Sequence, residues 1–295
     1  MKKTVFTGSG VAIITPFTED GIDYPVLGEL IERQIAGKTD AIIICGTTGE
    51  SSTMTDEEHV EAIRFTVEKA AGRIPVVAGS GSNDTRYAIG LSREAEAAGA
   101  DALLHVTPYY NKTTQPGLIA HFTAIAESTS LPVILYNVPS RTNLNIAPAT
   151  IIQLSKISNI VAIKECNIEQ APEYMGRVAD GFSLYSGDDG MAVPYMSLGG
   201  KGVISVMANL IPEDTHNLIQ YCLDSDYTKA AALQCKSAPL CKALFCEVSP
   251  IPVKAALNMM GIAVGSCRLP LLDISECGGA ILRKAMLDYG ITLKE

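Results

Sequence analysis

Eight short apolar runs, most of them rich in β-branched residues, recur along the chain at residues 11–17, 41–45, 74–80, 102–108, 131–138, 160–165, 183–187 and 202–207. Their starts lie about 30 residues apart early and about 20 apart late, the spacing of strand–helix–strand units. Most runs are almost continuously apolar, as parallel strands buried on both faces must be. The intervening segments carry helix signals. Thr55-Asp56-Glu57-Glu58 has the form of a capping box, and Val60, Ile63, Val67 and Ala70 follow at helical spacing, with Gly72 as the stop. Residues 84–98 repeat the design before Gly99, and residues 172–179 do so before Gly181. Eight such units predict an α/β fold, a closed (β/α)8 TIM barrel. An open doubly wound sheet is the alternative. It usually needs a glycine-rich loop after its first strand, where this chain has Thr15-Pro16-Phe17.

From about residue 212 the strand signal stops, and residues 213–224, 226–245, 252–260 and 275–289 read as helices. The expected division is a catalytic barrel over 1–230 and a C-terminal helical extension over 231–295. Composition narrows the function. With 23 Lys+Arg against 32 Asp+Glu the net charge is −9, which gives no attraction to a phosphate backbone, so no nucleic-acid partner is expected. No apolar run reaches the roughly 18–20 residues of a membrane span. The basic Met1–Lys3 start is followed by Thr7-Gly8-Ser9-Gly10, which breaks any signal-peptide core, so a cytoplasmic location is expected. The eight cysteines form no C-x-x-C pair and the four histidines are scattered; reduced thiols and no metal site are expected.

In a barrel of this kind chemistry gathers where strands end. After the second run, Gly46-Thr47-Thr48-Gly49-Glu50-Ser51 brings hydroxyls and glycine-freed backbone N–H groups together, suited to a carboxylate, or forms a tight turn with a helix cap. After the fourth, Tyr109 and Tyr110 point in different directions, one toward the mouth and one toward a neighbour, or simply pack. The fifth run ends Tyr136-Asn137-Val138-Pro139-Ser140-Arg141. Its phenol suits proton transfer and its guanidinium suits a carboxylate; a core Tyr and a solvent-facing Arg are the plain alternatives. Lys164 closes the apolar sixth run. Burial of its ammonium should free a neutral amine for Schiff-base chemistry, unless the side chain reaches solvent or a carboxylate. Asp188 and Asp189 follow the seventh run as a helix N-cap sooner than a metal pair. Gly199-Gly200-Lys201-Gly202 precedes its strand and so falls on the wrong face for catalysis.

Together these segments, with Pro108-Tyr109-Tyr110-Asn111-Lys112, Val161-Ala162-Ile163-Lys164-Glu165 and Pro250-Ile251-Pro252-Val253-Lys254, resemble the dihydrodipicolinate synthase branch of the class I pyruvate aldolase family, which also contains N-acetylneuraminate lyase. The resemblance runs over nearly the whole chain, in order. It implies a lyase of lysine and diaminopimelate biosynthesis that condenses pyruvate with aspartate-4-semialdehyde through an imine on Lys164, with no metal or organic cofactor. It implies Tyr136 as general acid/base, and Thr47 and Tyr110 as its proton relay, with Tyr110 supplied by a neighbouring subunit. Thr48 would hold the pyruvate carboxylate, Gly187 and Ile204 would line the pocket through backbone groups, and Arg141 would grip the second substrate. A homotetramer, a dimer of dimers, is implied as well. An effector site for lysine would match Ser51, Ser52, Asp56, His59, Asn83, Tyr87 and Tyr109. Lysine-sensitive members are expected to carry a histidine and a glutamate where this chain has Asp56 and Tyr87, so weak or absent inhibition is expected here. Cys166 also departs from the small residue usual after the Lys164-Glu165 pair. It reads as a space-filler on the Lys164 side of the strand, or as a redox-sensitive thiol. The rival readings are an aldolase acting on a sialic or keto-deoxy sugar acid, and a non-catalytic barrel that senses a keto acid.

Overall fold

The computed structural model describes residues 2–294. Eight parallel strands close a barrel: β1 (Gly8–Ala12), β2 (Ala41–Ile44), β3 (Val76–Gly79), β4 (Ala102–Val106), β5 (Val133–Asn137), β6 (Ile160–Glu165), β7 (Ser183–Ser186) and β8 (Gly202–Ser205). Each pairs with its sequence neighbour, and β1 closes the ring on β8. The outer helices are α1 (Tyr24–Ala36), α2 (Asp56–Ala70), α3 (Thr85–Ala97), α4 (Gln115–Glu127), α5 (Pro148–Leu154), α6 (Ala171–Met175), α7 (Ala192–Ser197) and α8 (Pro212–Leu223). Three more follow: α9 (Tyr227–Ala243), α10 (Ile251–Met259) and α11 (Glu276–Tyr289). The TIM barrel expected from the eight runs is therefore the fold.

Local details differ from the sequence reading for steric reasons. β1 begins at Gly8, inside the glycine-rich stretch, because closure there leaves no room for side chains. A Cβ on Gly202 would lie 2.0 Å from the Gly8 carbonyl oxygen, and one on Gly10 would meet Ile43 Cδ1 at 2.7 Å and the Phe6 ring at 2.8 Å. The capping box forms as expected, with Glu58 N–H donating to Thr55 Oγ1 and Thr55 N–H to Glu58. The left-handed residue that ends α2 is Ala71 (φ 51°), one position before Gly72. The sixth outer helix is only Ala171–Met175, shorter than the 172–179 expected.

Barrel-interior residues Ala12, Ile43, Val77, Leu104, Ile134, Val161, Ala162 and Ile204 form one apolar plug. Its floor is the stacked pair Phe6–Tyr185, with ring centroids 4.4 Å apart, and the Tyr185 hydroxyl donates to the Phe6 carbonyl at 2.7 Å. At the opposite end the C-terminal helices reach back to the barrel. Lys254 of α10, 1% exposed, places Nζ 2.8 Å from Glu50 Oε1 in the loop after β2, and also donates to the Ser266 carbonyl at 2.8 Å. Glu50 Oε2 accepts from Arg268 N–H at 2.9 Å, and the Arg268 guanidinium grips both oxygens of Glu58. The Phe17 ring lies under both cations, 4.6 Å from Lys254 Nζ and 4.0 Å from the Arg268 guanidinium carbon. Breaking a buried pair from one side strands a charge, at about 3–5 kcal/mol. Lys254→Met should lower the denaturant midpoint accordingly, and adding Glu50→Leu should restore part of the loss.

Two histidines are buried between β4 and the α3–α4 layer. His105 Nε2 meets Ser80 Oγ at 3.1 Å, and His121 Nδ1 meets Thr85 Oγ1 at 2.8 Å. Burial drives His105 down to about 3 and His121 to about 4. An unfolded histidine titrates near ~6.5, so below that pH the unfolded chain binds protons that the folded chain refuses. The associated stability is present above about 6.5 and drains as pH falls toward 4. Unfolding midpoints between pH 7 and 4.5 should fall less steeply for His121→Gln than for the parent chain.

Candidate active site

The register of β5 against β6 decides the geometry of the barrel mouth. A shift between Val133 and Ile134 sets Tyr136 beside Lys164 and Asn137 beside Glu165 as cross-strand partners. Side chains alternate along each strand. Tyr136 and Lys164 thus enter the barrel, and Asn137 and Glu165 face the helices. Lys164 Nζ stands 4.3 Å from the centre of the Tyr136 ring.

The outward pair clamps the end of β6. Glu165 accepts from Asn137 Nδ2, Asn167 N–H and Gln170 Nε2, each at 2.8 Å, and from the Tyr174 hydroxyl at 3.3 Å. Burial raises its carboxyl above the usual range, and these donors oppose the rise. Inside, Lys164 is only 7% exposed. Loss of hydration pulls its ammonium below the ordinary lysine value, as the sequence reading expected, while Cys166 and Asp189 push the other way. The same burial lifts the Tyr136 phenol well above its usual value. The Thr47 and Cys166 side chains line the same barrel mouth as that phenol.

The loop after β2 delivers Thr47 and Thr48. It turns through left-handed backbone at Cys45 and Glu50, both with φ 56°, and is cross-braced by Gly49 N–H to the Gly46 carbonyl and Thr15 Oγ1 to the Gly49 carbonyl. Gly79 of β3 makes room for it, since a Cβ there would lie 2.2 Å from the Cys45 carbonyl oxygen. The loop is both the tight turn and the hydroxyl-bearing rim that its sequence allowed.

A cavity of about 600 Å³ opens over these groups. Thr47, Thr48, Tyr136, Arg141, Lys164, Cys166 and Gly187 all line it. Ile204 lies in the apolar layer beneath, and Val206 takes the lining position on that side. Asp188 caps the short turn after β7 by accepting from Gly190 N–H at 2.8 Å, the capping role expected of the aspartate pair. Asp189 is buried and accepts from Val206 and Met207 N–H, each at 2.9 Å, which ties β7 to the end of β8. The sequence reading missed the outer rim. Lys242, Phe245, Glu247, Val248 and Ser249 close one side, held by Arg141 Nη2 to the Ser249 carbonyl at 3.4 Å and by Glu247 to Ser275. Their one sequence signal was adjacency to Pro250-Ile251-Pro252-Val253-Lys254.

The remaining expected residues sit outside this cavity. Tyr110 is 93% exposed with left-handed backbone (φ 65°), and Tyr109 is half-exposed beside Tyr87. The Tyr87 hydroxyl donates to Asp56, so these two effector candidates do meet. Asn83 is tied through its carbonyl to Asn111 Nδ2 at 2.9 Å. Ser51 and Ser52 lie in a 3-10 turn before α2, and His59 is buried with Nε2 2.7 Å from the Gly79 carbonyl.

A lysine amine, a phenol and hydroxyls around one mouth match a known group of proteins. The profile of the dihydrodipicolinate synthetase family fits residues 5–286. The chain belongs to that family. It is 60% identical over 291 residues to a 4-hydroxy-tetrahydrodipicolinate synthase of Acetivibrio thermocellus, covering 99% of this chain and 100% of the relative. Among solved structures it is similar to the dihydrodipicolinate synthase of Aquifex aeolicus, with 46% identity, TM-score 0.96 and coverage of 98% and 100%. It is also similar to the family member from Cyanidioschyzon merolae solved with lysine bound, with 40% identity, TM-score 0.95 and coverage of 98% and 100%.

Packing around the amine is tight. A Cβ on Gly187 would fall 2.4 Å from Cys166 Sγ, 3.1 Å from the Glu165 carbonyl oxygen and 3.2 Å from Lys164 Cγ. Overpacking of this kind costs about 1–3 kcal/mol. Gly187→Ala should lower the thermal midpoint, and Cys166→Ala in the same chain should relieve part of the loss.

Proposed function

We propose that the chain condenses pyruvate with aspartate-4-semialdehyde through an imine on Lys164, the 4-hydroxy-tetrahydrodipicolinate synthase reaction of lysine and diaminopimelate biosynthesis. It is a lyase of the class I aldolase type. The observation that carries the reading is the dehydrated Lys164 amine, 4.3 Å from the Tyr136 ring in a cavity that also holds Thr47 and Thr48. A neutral amine attacks the pyruvate ketone, and Tyr136 hands a proton to the hydroxyl that leaves as water. Its raised pKa suits it to begin as the acid. The iminium then acidifies the pyruvate methyl group, whose proton returns to Tyr136 as the enamine forms. The enamine carbon adds to the semialdehyde, and attack by the acceptor's own amine closes the ring and releases Lys164. The iminium is the electron sink, so the scheme calls for no metal or organic cofactor.

Thr48 holds the pyruvate carboxylate, and Gly187 and Ile204 supply backbone groups around the bound ketone. Arg141 receives the carboxylate of the second substrate, a task that favours a planar fork over a lysine. Thr47 continues the proton path from Tyr136 to Tyr110 of a neighbouring subunit. The exposure of Tyr110 supports that assignment. A tetramer built from tight dimers is the matching assembly. A cytoplasmic location suits eight cysteines that are all free thiols. Among the described residues no helix is long and apolar enough to cross a membrane.

Borohydride reduction in the presence of pyruvate should leave an adduct on the Lys164 peptide, and Lys164→Arg should abolish it. Tyr136→Phe should cut kcat by about 10²–10⁴-fold. A folded sample with no adduct would overturn the imine. Faster turnover of a sugar aldehyde than of aspartate-4-semialdehyde would reassign the acceptor. Because Asp56 is engaged by the Tyr87 hydroxyl, lysine at millimolar concentration should inhibit weakly or not at all in a steady-state titration.

A further inference from the structure

Glu50 ends the turn that carries Thr47 and Thr48, and all its polar groups are engaged. Its N–H donates to the Thr47 carbonyl at 3.1 Å. Its own carbonyl accepts from Thr53 N–H and Thr53 Oγ1, each at 3.0 Å. Its carboxylate reaches the C-terminal part of the chain, one oxygen to Lys254 Nζ at 2.8 Å and the other to Arg268 N–H at 2.9 Å. The turn ahead of it has no slack. Gly49 N–H closes on the Gly46 carbonyl at 3.1 Å, and the Gly49 carbonyl accepts from Thr15 Oγ1 at 2.8 Å. A Cβ on Gly49 would lie 3.2 Å from Thr15 Oγ1 and 3.3 Å from the Ile13 carbonyl oxygen. Residues 46–50 are thus one hydrogen-bonded unit, and a displacement of Glu50 passes directly to Thr47 through the bond between them. Neither Glu50 nor Lys254 lines the cavity.

We propose that Lys254 and Glu50 are positioning residues for pyruvate, and that their ion pair fixes the turn from which Thr47 and Thr48 meet that substrate. The inference rests on the imine reading above and extends it to two residues that touch neither substrate. An apolar pair of similar size can match a buried ion pair in stability. It cannot match it in direction. A carboxylate held on both oxygens by donors from two segments is fixed in position and in rotation, whereas apolar side chains slide over one another. The site needs that precision, because a misplacement of about 1 Å can cost about 10²-fold in rate. The pair is also shut away from competing water, with side chains 2% and 1% exposed. The contact for the second substrate has a different support: Arg141 Nη2 donates to the Ser249 carbonyl at 3.4 Å. Loss of the ion pair should therefore fall mainly on pyruvate.

The test measures kcat/KM for each substrate, beside the denaturant midpoint, in full-length Lys254→Met and in the double variant Lys254→Met with Glu50→Leu. In the single variant kcat/KM for pyruvate should fall about tenfold, with the value for aspartate-4-semialdehyde within about threefold of the parent. In the double variant the midpoint should recover in part while kcat/KM for pyruvate stays low, because the apolar pair restores packing and not direction. A merely structural role predicts otherwise. Both kcat/KM values would then fall together with the folded fraction and return together in the double variant, and that result would overturn the proposal. Parent-like use of pyruvate by the single variant would overturn it as well. If Lys254→Met does not fold, the double variant decides: low kcat/KM for pyruvate alone supports the proposal, and a parent-like value refutes it. Borohydride trapping of pyruvate on the parent protein separates the two levels. Failure there removes the imine reading itself, whereas normal trapping with unchanged pyruvate kinetics in the variants removes only the role of the ion pair.

Discussion

The ion pair between Lys254 and Glu50 is the contact on which the upper half of the molecule depends. The loop after β2 must leave the barrel through left-handed backbone at Cys45 and return through it at Glu50. Neither conformation is favoured for these residues. Glu50 is held on one oxygen by Lys254 and on the other by the Arg268 N–H, so the loop is braced from outside the barrel. A buried pair of this kind contributes little net stability against an apolar replacement. Its contribution is a fixed address. Thr47 and Thr48 lie just ahead of Glu50, and their hydroxyls hold position because α10 and the 266–268 segment do.

A second constraint concerns the amine. Under the proposed imine chemistry, Lys164 has to be dry enough to lose its proton readily and still face a cavity that a keto acid enters. The barrel meets both demands by layering. Ile43, Leu104, Ile134 and Ile204 belong to the apolar plug that also holds Tyr136, and the amine stands over the Tyr136 ring. Glu165, immediately next in sequence, points outward into four hydrogen bonds and keeps the strand from rotating. One strand thus carries the amine on one face and its anchor on the other.

Much of this was legible in the sequence, and the parts that were not share a physical cause. The eight strands were readable because parallel strands buried on both faces leave continuous apolar runs. Lys164 stood out because a charged residue ended such a run. The start of β1 was obscured because the strand needs Gly8 and Gly10 to let backbone and rings approach, and glycine normally signals interruption. The rim from Lys242 to Ser249 was obscured because its residues are ordinary in type; only the tertiary path of the chain after α9 brings them over the cavity. Tyr110 was expected as a site residue only through the family resemblance, and in this chain it lies outside the cavity lining.

The closure of the ring has a consequence for how the protein is made. β1 bonds to β2 on one side and to β8 on the other, and Phe6 finds its stacking partner only in Tyr185. A chain emerging from the ribosome therefore carries its first strand with one open edge until residue 205 has been translated. The Thr47 loop waits longer still, for Lys254 and Arg268. Such long-range pairings are slow to form. The catalytic mouth is consequently among the last parts of the molecule to be completed, and a nascent chain truncated before residue 254 holds Lys164 and Tyr136 but not the brace that sets the hydroxyls above them.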